Sequence, residues 1–340
     1  MKTDLQHKAK GLDVAPATPA SPPGSSLSGY IRIARLDHWV KNVFVLPGIV
    51  VALSADRTRL ASWSWTTFLV GMLGVGLTAS SNYVLNEILD APSDLAHPTK
   101  RDRPVPAGQV SIAWAYFEWI ALIAAGLALG FYISVPFALT LLALWIMGCV
   151  YNVPPLRTKD LPYADVLSEA VNNPLRMLAG WYLTGCTLIP PASLLLSYWM
   201  VGCYFMAIKR FAEFRDIGDH KRSARYRKSF AFYNEQRLLV AIVFYGSISM
   251  LFFGAFIMRY RVELILAFPL VALVMAQYLS LAFRPDSAVQ RPEGLYREPA
   301  LMVAVLACVV VMVILLFVNL PILNRIFSPT IPWEQPYAPR

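Results

Sequence analysis

Charge is scarce in this chain. Only 15% of its 340 residues are Asp, Glu, Lys or Arg, against 57% that are hydrophobic; an ordinary soluble domain carries roughly 25% charged residues. That excludes a soluble globule, which could not cover so much apolar surface. Cysteine and histidine are as sparse. Cys149, Cys186, Cys203 and Cys308 stand singly in apolar segments with no Cys-x-x-Cys pair, which argues against a zinc site or disulfide framework and leaves them as packing residues. Four histidines without a His-x-x-x-His pair argue against a histidine-ligated metal. No apolar h-region precedes Tyr30, so no cleaved signal peptide is expected, and residues 1–29, rich in Pro, Ser and Ala, read as a disordered cytoplasmic tail.

What is present is long apolar runs. About 20 such residues cross roughly 30 Å of hydrocarbon. Spans are read at residues 39–54, 64–87, 112–132, 134–151, 164–184, 192–212, 237–257, 262–283 and 300–320. The expected fold is an all-α polytopic membrane protein of about nine transmembrane helices. The stretch from Trp119 to Leu156 holds no charge and predicts a helical hairpin folded near Gly130 to Pro136. With the N-terminus inside, 23 of the 30 Lys and Arg fall on the cytoplasmic side and 6 on the other, the asymmetry of a positive-inside chain. The net charge of +9 is therefore a topology signal, and no nucleic-acid partner is expected. Two cytoplasmic loops, Asp90 to Val110 and Lys209 to Arg237, are longer and richer than the rest, where chemistry usually sits.

Three constellations carry that chemistry. If the second span continues to Asp94, spacing of four places Asn86, Asp90 and Asp94 on one helical face, followed by His97, Lys100, Arg101 and Arg103. Hard oxygens beside cations are what a Mg²⁺-bridged diphosphate needs; the plain alternative is a helix end opening into solvent. The second runs from Tyr151-Asn152 through Arg157, Lys159 and Asp160 at the entry of the fifth span, which then holds Asp165, Glu169, Asn172, Asn173 and Arg176 at intervals of three or four, predicting one shared polar face turned from lipid. A charge at membrane depth costs roughly 2.5 to 3.5 kcal/mol on insertion scales, so this face is either functional or a hydrogen-bonded lock between helices. The third closes the sixth span: Lys209, Arg210, then Glu213, Asp216 and Asp219. The basic run from Lys221 to Lys228 reads equally as an anchor on anionic membrane lipid. The ninth span shows no polar landmark and reads as structural.

Asn86-Glu87-Ile88-Leu89-Asp90-Ala91-Pro92-Ser93-Asp94, followed by His97-Pro98-Thr99-Lys100-Arg101-Asp102-Arg103-Pro104, resembles the first signature of the UbiA superfamily of intramembrane prenyltransferases, with Glu87 where that signature has Asp. Trp39-Val40-Lys41-Asn42, Lys159 through Val166, Arg176, Ala179-Gly180 and Lys209 through Glu213 are similar to the decaprenyl-phosphate phosphoribosyltransferase branch, which includes rhizobial nodulation proteins tied to arabinosylation. The polar residues Glu169, Asn172, Asn173 and Pro174 depart from that branch.

The resemblance implies a UbiA-like transmembrane catalytic domain over residues 30–323, a short extracytoplasmic tail over 324–340, and a site at the cytoplasmic face of a bacterial inner membrane. It implies phosphoribosyl pyrophosphate as donor, a polyprenyl phosphate lipid as acceptor and Mg²⁺ as cofactor, with an epimerase downstream if the product feeds arabinose. On this reading Asn86, Asp90 and Asp94 hold the metal. Lys41, Lys100, Arg101 and Arg103 surround the donor phosphates. Lys159, Asp165, Arg176, Lys209 and Arg210 serve the acceptor side, and Glu213 and Asp216 take ribose hydroxyls or a second ion. Two rivals stay open: a prenyltransferase acting on an aromatic acceptor, and a transporter whose fifth span lines a path. A transporter is expected to show an internal repeat, and none is read here.

Overall fold

The computed structural model describes residues 24–95, 100–218, 223, 226–285, 287–290 and 292–328. Every regular element among them is helical. Ser26 accepts from the Gly29 N–H at 3.2 Å and caps α1 (Leu27–Ile33), so regular structure begins inside the stretch read as a tail. A 3-10 segment, Leu36–Val45, leads into α2 (Leu46–Ala55). There follow α3 (Trp65–Asp94), α4 (Ile112–Ile133), α5 (Val135–Asn152), α6 (Ala164–Ala170), α7 (Asn172–Leu183), α8 (Ala192–Ile217), α9 (Glu235–Tyr260), α10 (Phe268–Leu281), α11 (Pro299–Phe317) and α12 (Pro321–Ile326).

Eight helical stretches among the described residues are long and apolar enough to cross a bilayer: Leu27–Ala55, Trp65–Asp94, Ile112–Ile133, Val135–Asn152, Ala192–Ile217, Glu235–Tyr260, Val262–Leu281 and Pro299–Phe317. They match eight of the nine expected spans. The expected hairpin forms, with Ser134 accepting from the Phe137 N–H at 3.3 Å to start α5 where α4 has just ended. The remaining span, 164–184, is interrupted at Val171 and divided into α6 and α7. Pro174 supplies the reason: it has no N–H to offer the Ala170 carbonyl, and its ring crowds that carbonyl.

Small residues and buried hydroxyls hold the bundle where apolar contrast with lipid cannot. A Cβ on Gly48 would stand 1.8 Å from the Met177 carbonyl oxygen, and one on Gly180 would stand 1.9 Å from that of Val45; α2 and α7 therefore touch backbone to backbone. Ser197 and Ser249 each donate to the other's carbonyl at 3.1 Å, tying α8 to α9. Tyr204 donates to the Met275 carbonyl at 2.9 Å, tying α8 to α10. An apolar core built around Phe211, Phe230, Tyr233, Leu238 and Ile242 underlies the charged end of the molecule.

Candidate active site

The helix α3 runs for 30 residues, longer than a bilayer crossing needs, so its last turns carry polar side chains past the apolar run. Asn86 and Asp90 meet on one face, with Asn86 Nδ2 3.2 Å from Asp90 Oδ2. The end of α5 faces them: Asn152 Oδ1 accepts from Asn86 Nδ2 at 2.6 Å and from Lys159 Nζ at 2.9 Å. Lys159 Nζ also reaches Asp90 Oδ1 at 2.5 Å, and Arg157 Nη2 reaches the same oxygen at 2.9 Å. Asp94, one turn on, pairs with Arg103 Nη1 at 2.6 Å.

The loop that presents Arg157 and Lys159 is bracketed by two non-glycine residues with positive φ, Arg157 at 27° and Tyr163 at 63°. Such backbone is costly and persists where the surroundings over-determine it. Here Arg157 bonds the Asn152 carbonyl and Asp160, while the Tyr163 N–H donates to Tyr233 Oη at 2.5 Å.

A second network adjoins the first across Tyr151. Arg210 is buried, 2% exposed, and pairs with three carboxylates: Asp165 at 3.3 Å, Glu169 at 2.8 Å and Glu213 at 3.0 Å. Tyr151 donates to Glu169 at 2.9 Å and accepts from Arg227 Nη2 at 2.8 Å. Asp165 is fully enclosed: Tyr233 Oη donates at 2.7 Å, Ser229 Oγ at 3.2 Å, and Arg227 Nε lies 3.5 Å away.

These positions change several sequence-based assignments. Asp165, expected on the acceptor side, has both oxygens engaged and joins α6, α8 and the 227–233 turn. Arg210 is spent on three carboxylates in the same way. Arg176 does not continue the α6 face; past the break at Val171 it bonds Asn42 Oδ1 at 3.4 Å. Arg101 points outward, its side chain 65% exposed and 3.9 Å from Asp102. Glu87 does not join its neighbour Asn86: it is buried, accepts from the Val105 N–H at 3.1 Å and pairs with Arg35 at 3.3 Å. Glu213 is largely buried beside Arg210 and Asp216 is exposed. Lys209 and Lys41 are half-buried, on α8 and in the 3-10 segment ahead of α2. His97 and the Asp219 to Arg222 part of the third constellation lie outside the described residues. Sequence reasoning placed Tyr151, Asn152 and Arg157 in the second constellation and Arg227 in the basic run, but gave none of them a role in the site.

Two lysines bridge the clusters electrostatically. Burial pushes the Lys100 ammonium below the ordinary lysine value, opposed by the carboxylates of Asp94, Glu213 and Asp90 and reinforced by Arg103; its Nζ lies 5.0 Å from the Tyr226 ring centre. Burial likewise lowers Lys159, with Asp90 opposing it. Among the described residues no three acidic, His or Cys side chains are gathered for a metal. The chemistry of the donors still suits a hard cation, because Asn86, Asp90 and Asp94 offer oxygen on one face, and cations now engage both carboxylates.

Residues 44–293 match the model of the UbiA prenyltransferase family. The chain is 30% identical over 227 residues to a decaprenyl-phosphate phosphoribosyltransferase of Mycolicibacterium smegmatis, covering 64% of this chain and 67% of that protein. It is 33% identical over 221 residues to the protein of that name from Corynebacterium glutamicum, covering 62% of each. The nodulation protein NoeC of Azorhizobium caulinodans is 28% identical over 55% of this chain and 58% of its own. Among solved structures, a UbiA homologue from Archaeoglobus fulgidus bound to DMAPP and Mg²⁺ superposes with a TM-score of 0.63 at 20% identity, over 84% of this chain and 99% of that one. That likeness establishes the fold.

Proposed function

Because the chain belongs to the UbiA prenyltransferase family, a family of membrane transferases, we propose that it moves a 5-phosphoribosyl group from phosphoribosyl pyrophosphate to a polyprenyl monophosphate, at the cytoplasmic face of a bacterial inner membrane. The relatives named decaprenyl-phosphate phosphoribosyltransferase support the reaction, and the likeness to NoeC is in keeping with a product destined for arabinosylation. The observation that carries the reading is the meeting of Asp90 with Lys159 and Arg157 beside Asp94 and Arg103. Carboxylates and cations alternate there as a metal-bound diphosphate requires.

Asn86, Asp90 and Asp94 would hold Mg²⁺, which when bound supplies charge neutralisation to the leaving pyrophosphate. Arg103, Arg157 and Lys159 exchange their carboxylate partners for phosphate oxygens, and Lys100 adds its charge. Glu213 and Asp216 stand at the end of α8 for ribose hydroxyls, and Lys209 for the acceptor. An acceptor phosphate oxygen forms a bond to the anomeric carbon as the bond from that carbon to the pyrophosphate oxygen breaks. An ionised phosphate is already nucleophilic, so the residues orient and neutralise without a general base.

The test is purified protein with Mg²⁺, radiolabelled phosphoribosyl pyrophosphate and a polyprenyl monophosphate. Label entering the organic phase, and stopped by EDTA, is the expected result. No transfer, together with activity on a prenyl diphosphate and a phenolic acid, would replace this reading by prenyl transfer to an aromatic acceptor.

A further inference from the structure

Asn152 closes α5 almost fully buried, 3% exposed, and its amide fits only one way round. Its Nδ2 donates to the Gly148 carbonyl one turn back at 2.9 Å, and its Oδ1 accepts from Lys159 Nζ at 2.9 Å. Turned over, the amide would set oxygen against the carbonyl oxygen and NH₂ against the ammonium, and both contacts would repel.

The same constraint passes on to Asn86. Asn152 Oδ1 accepts from Asn86 Nδ2 at 2.6 Å, and Asp90 Oδ2 lies 3.2 Å from that nitrogen. Two acceptors therefore hold the Asn86 NH₂ group, which leaves its Oδ1 on the opposite side of the amide. Packing alone does not call for Asn152. One turn earlier on α3, Asn82 Nδ2 already donates to the Leu144 carbonyl at 3.0 Å. Asn82 also fills the space over Gly148, where a Cβ would stand 2.1 Å from its Cγ. With α3 and α5 joined there, an apolar side chain of similar size would serve the end of α5 as well.

From this we infer that Asn152 is a positioning residue: it sets the Asn86 amide so that its oxygen, and not its NH₂ group, is offered to the divalent cation that Asn86, Asp90 and Asp94 would hold. Asp90 is itself proposed to turn to that cation, and Asn152 is the contact that keeps the amide set when it does. The inference rests on the reading of those three residues as metal ligands and is independent of which group is transferred. A partner that orients a metal ligand in this way commonly governs metal affinity by about 10- to 100-fold.

The experiment titrates the full chain in detergent into a preformed complex of Mn²⁺ with inorganic pyrophosphate and follows the water proton relaxation rate, which rises as the complex is bound. Asn152→Leu, close in size, should weaken binding about tenfold; should it fail to fold, Asn152→Ala carries the same expectation. In an Asn86→Ala background the same change should add less than about twofold, because no amide is left to orient, whereas a role in packing or through Lys159 would add in full. Binding by Asn152→Leu as tight as wild type overturns the inference, and so does a further tenfold loss in the Asn86→Ala background. A wild type that binds no complex overturns the metal reading itself, and the inference with it.

Discussion

Lys159 Nζ lies 2.5 Å from Asp90 Oδ1 across 69 positions of sequence, and Asn152 accepts from the same ammonium. The loop after α5 is thereby fixed onto the end of α3, so the cations proposed to meet a phosphate and the carboxylate proposed to meet a metal are positioned by one contact.

Replacing Asp90 by Asn keeps the shape and removes the charge. Transfer should fall by about 10²-fold or more, the scale of losing one preorganised electrostatic partner. Initial rates at saturating Mg²⁺ check this, with far-ultraviolet circular dichroism showing the helices intact.

Arg103 and Arg101 are two positions apart and should behave differently. Arg103→Ala removes the partner of Asp94 and should raise KM for the diphosphate donor about tenfold, as loss of a charge-assisted contact does. Arg101→Ala, on an exposed side chain, should change KM by less than about twofold. Equal effects in steady-state kinetics would contradict the geometry.

Lys100 loses its proton at a lower pH than an ordinary lysine, because burial disfavours its charged form more than Asp94, Glu213 and Asp90 restore it. Donor affinity should decline on the alkaline side as that charge goes. Lys100→Arg keeps its charge at every accessible pH and should move the decline upward in a profile of kcat/KM against pH.

Asp165 should be a stability residue. Asp165→Ala removes one of the three carboxylates around Arg210 and the one paired with Arg227, and should cost about 3 to 5 kcal/mol, seen as a lowered midpoint of thermal unfolding in detergent. The fraction that stays folded should keep its KM for the polyprenyl phosphate acceptor, which a substrate-binding role for Asp165 would not allow.

The membrane fold was legible because hydrophobic runs report burial in lipid directly, as in the uncharged stretch that became the α4–α5 hairpin. The neighbouring of Asn86 and Asp90 was legible because α3 stays helical to Asp94, with Pro92 inside its last turn. The fifth span was not legible in detail: Pro174 interrupts it, and periodicity carried across Val171 joined Arg176 to a face whose partners differ. Nor could spacing show that Arg210 reaches Asp165, 45 positions away, and is consumed there. Charged residues look alike in sequence whether they meet a ligand or one another.

The close approach of Gly48 and Gly180 has a mechanical side. Where two main chains touch, no side-chain rotamer is left to absorb a displacement, so a tilt of α2 is handed to α7 undiminished. α6, whose Glu169 meets Arg210, is separated from α7 by the break at Val171. The backbone contact thus locks the first span to α7 as one unit, and the break leaves the Arg210 network outside it.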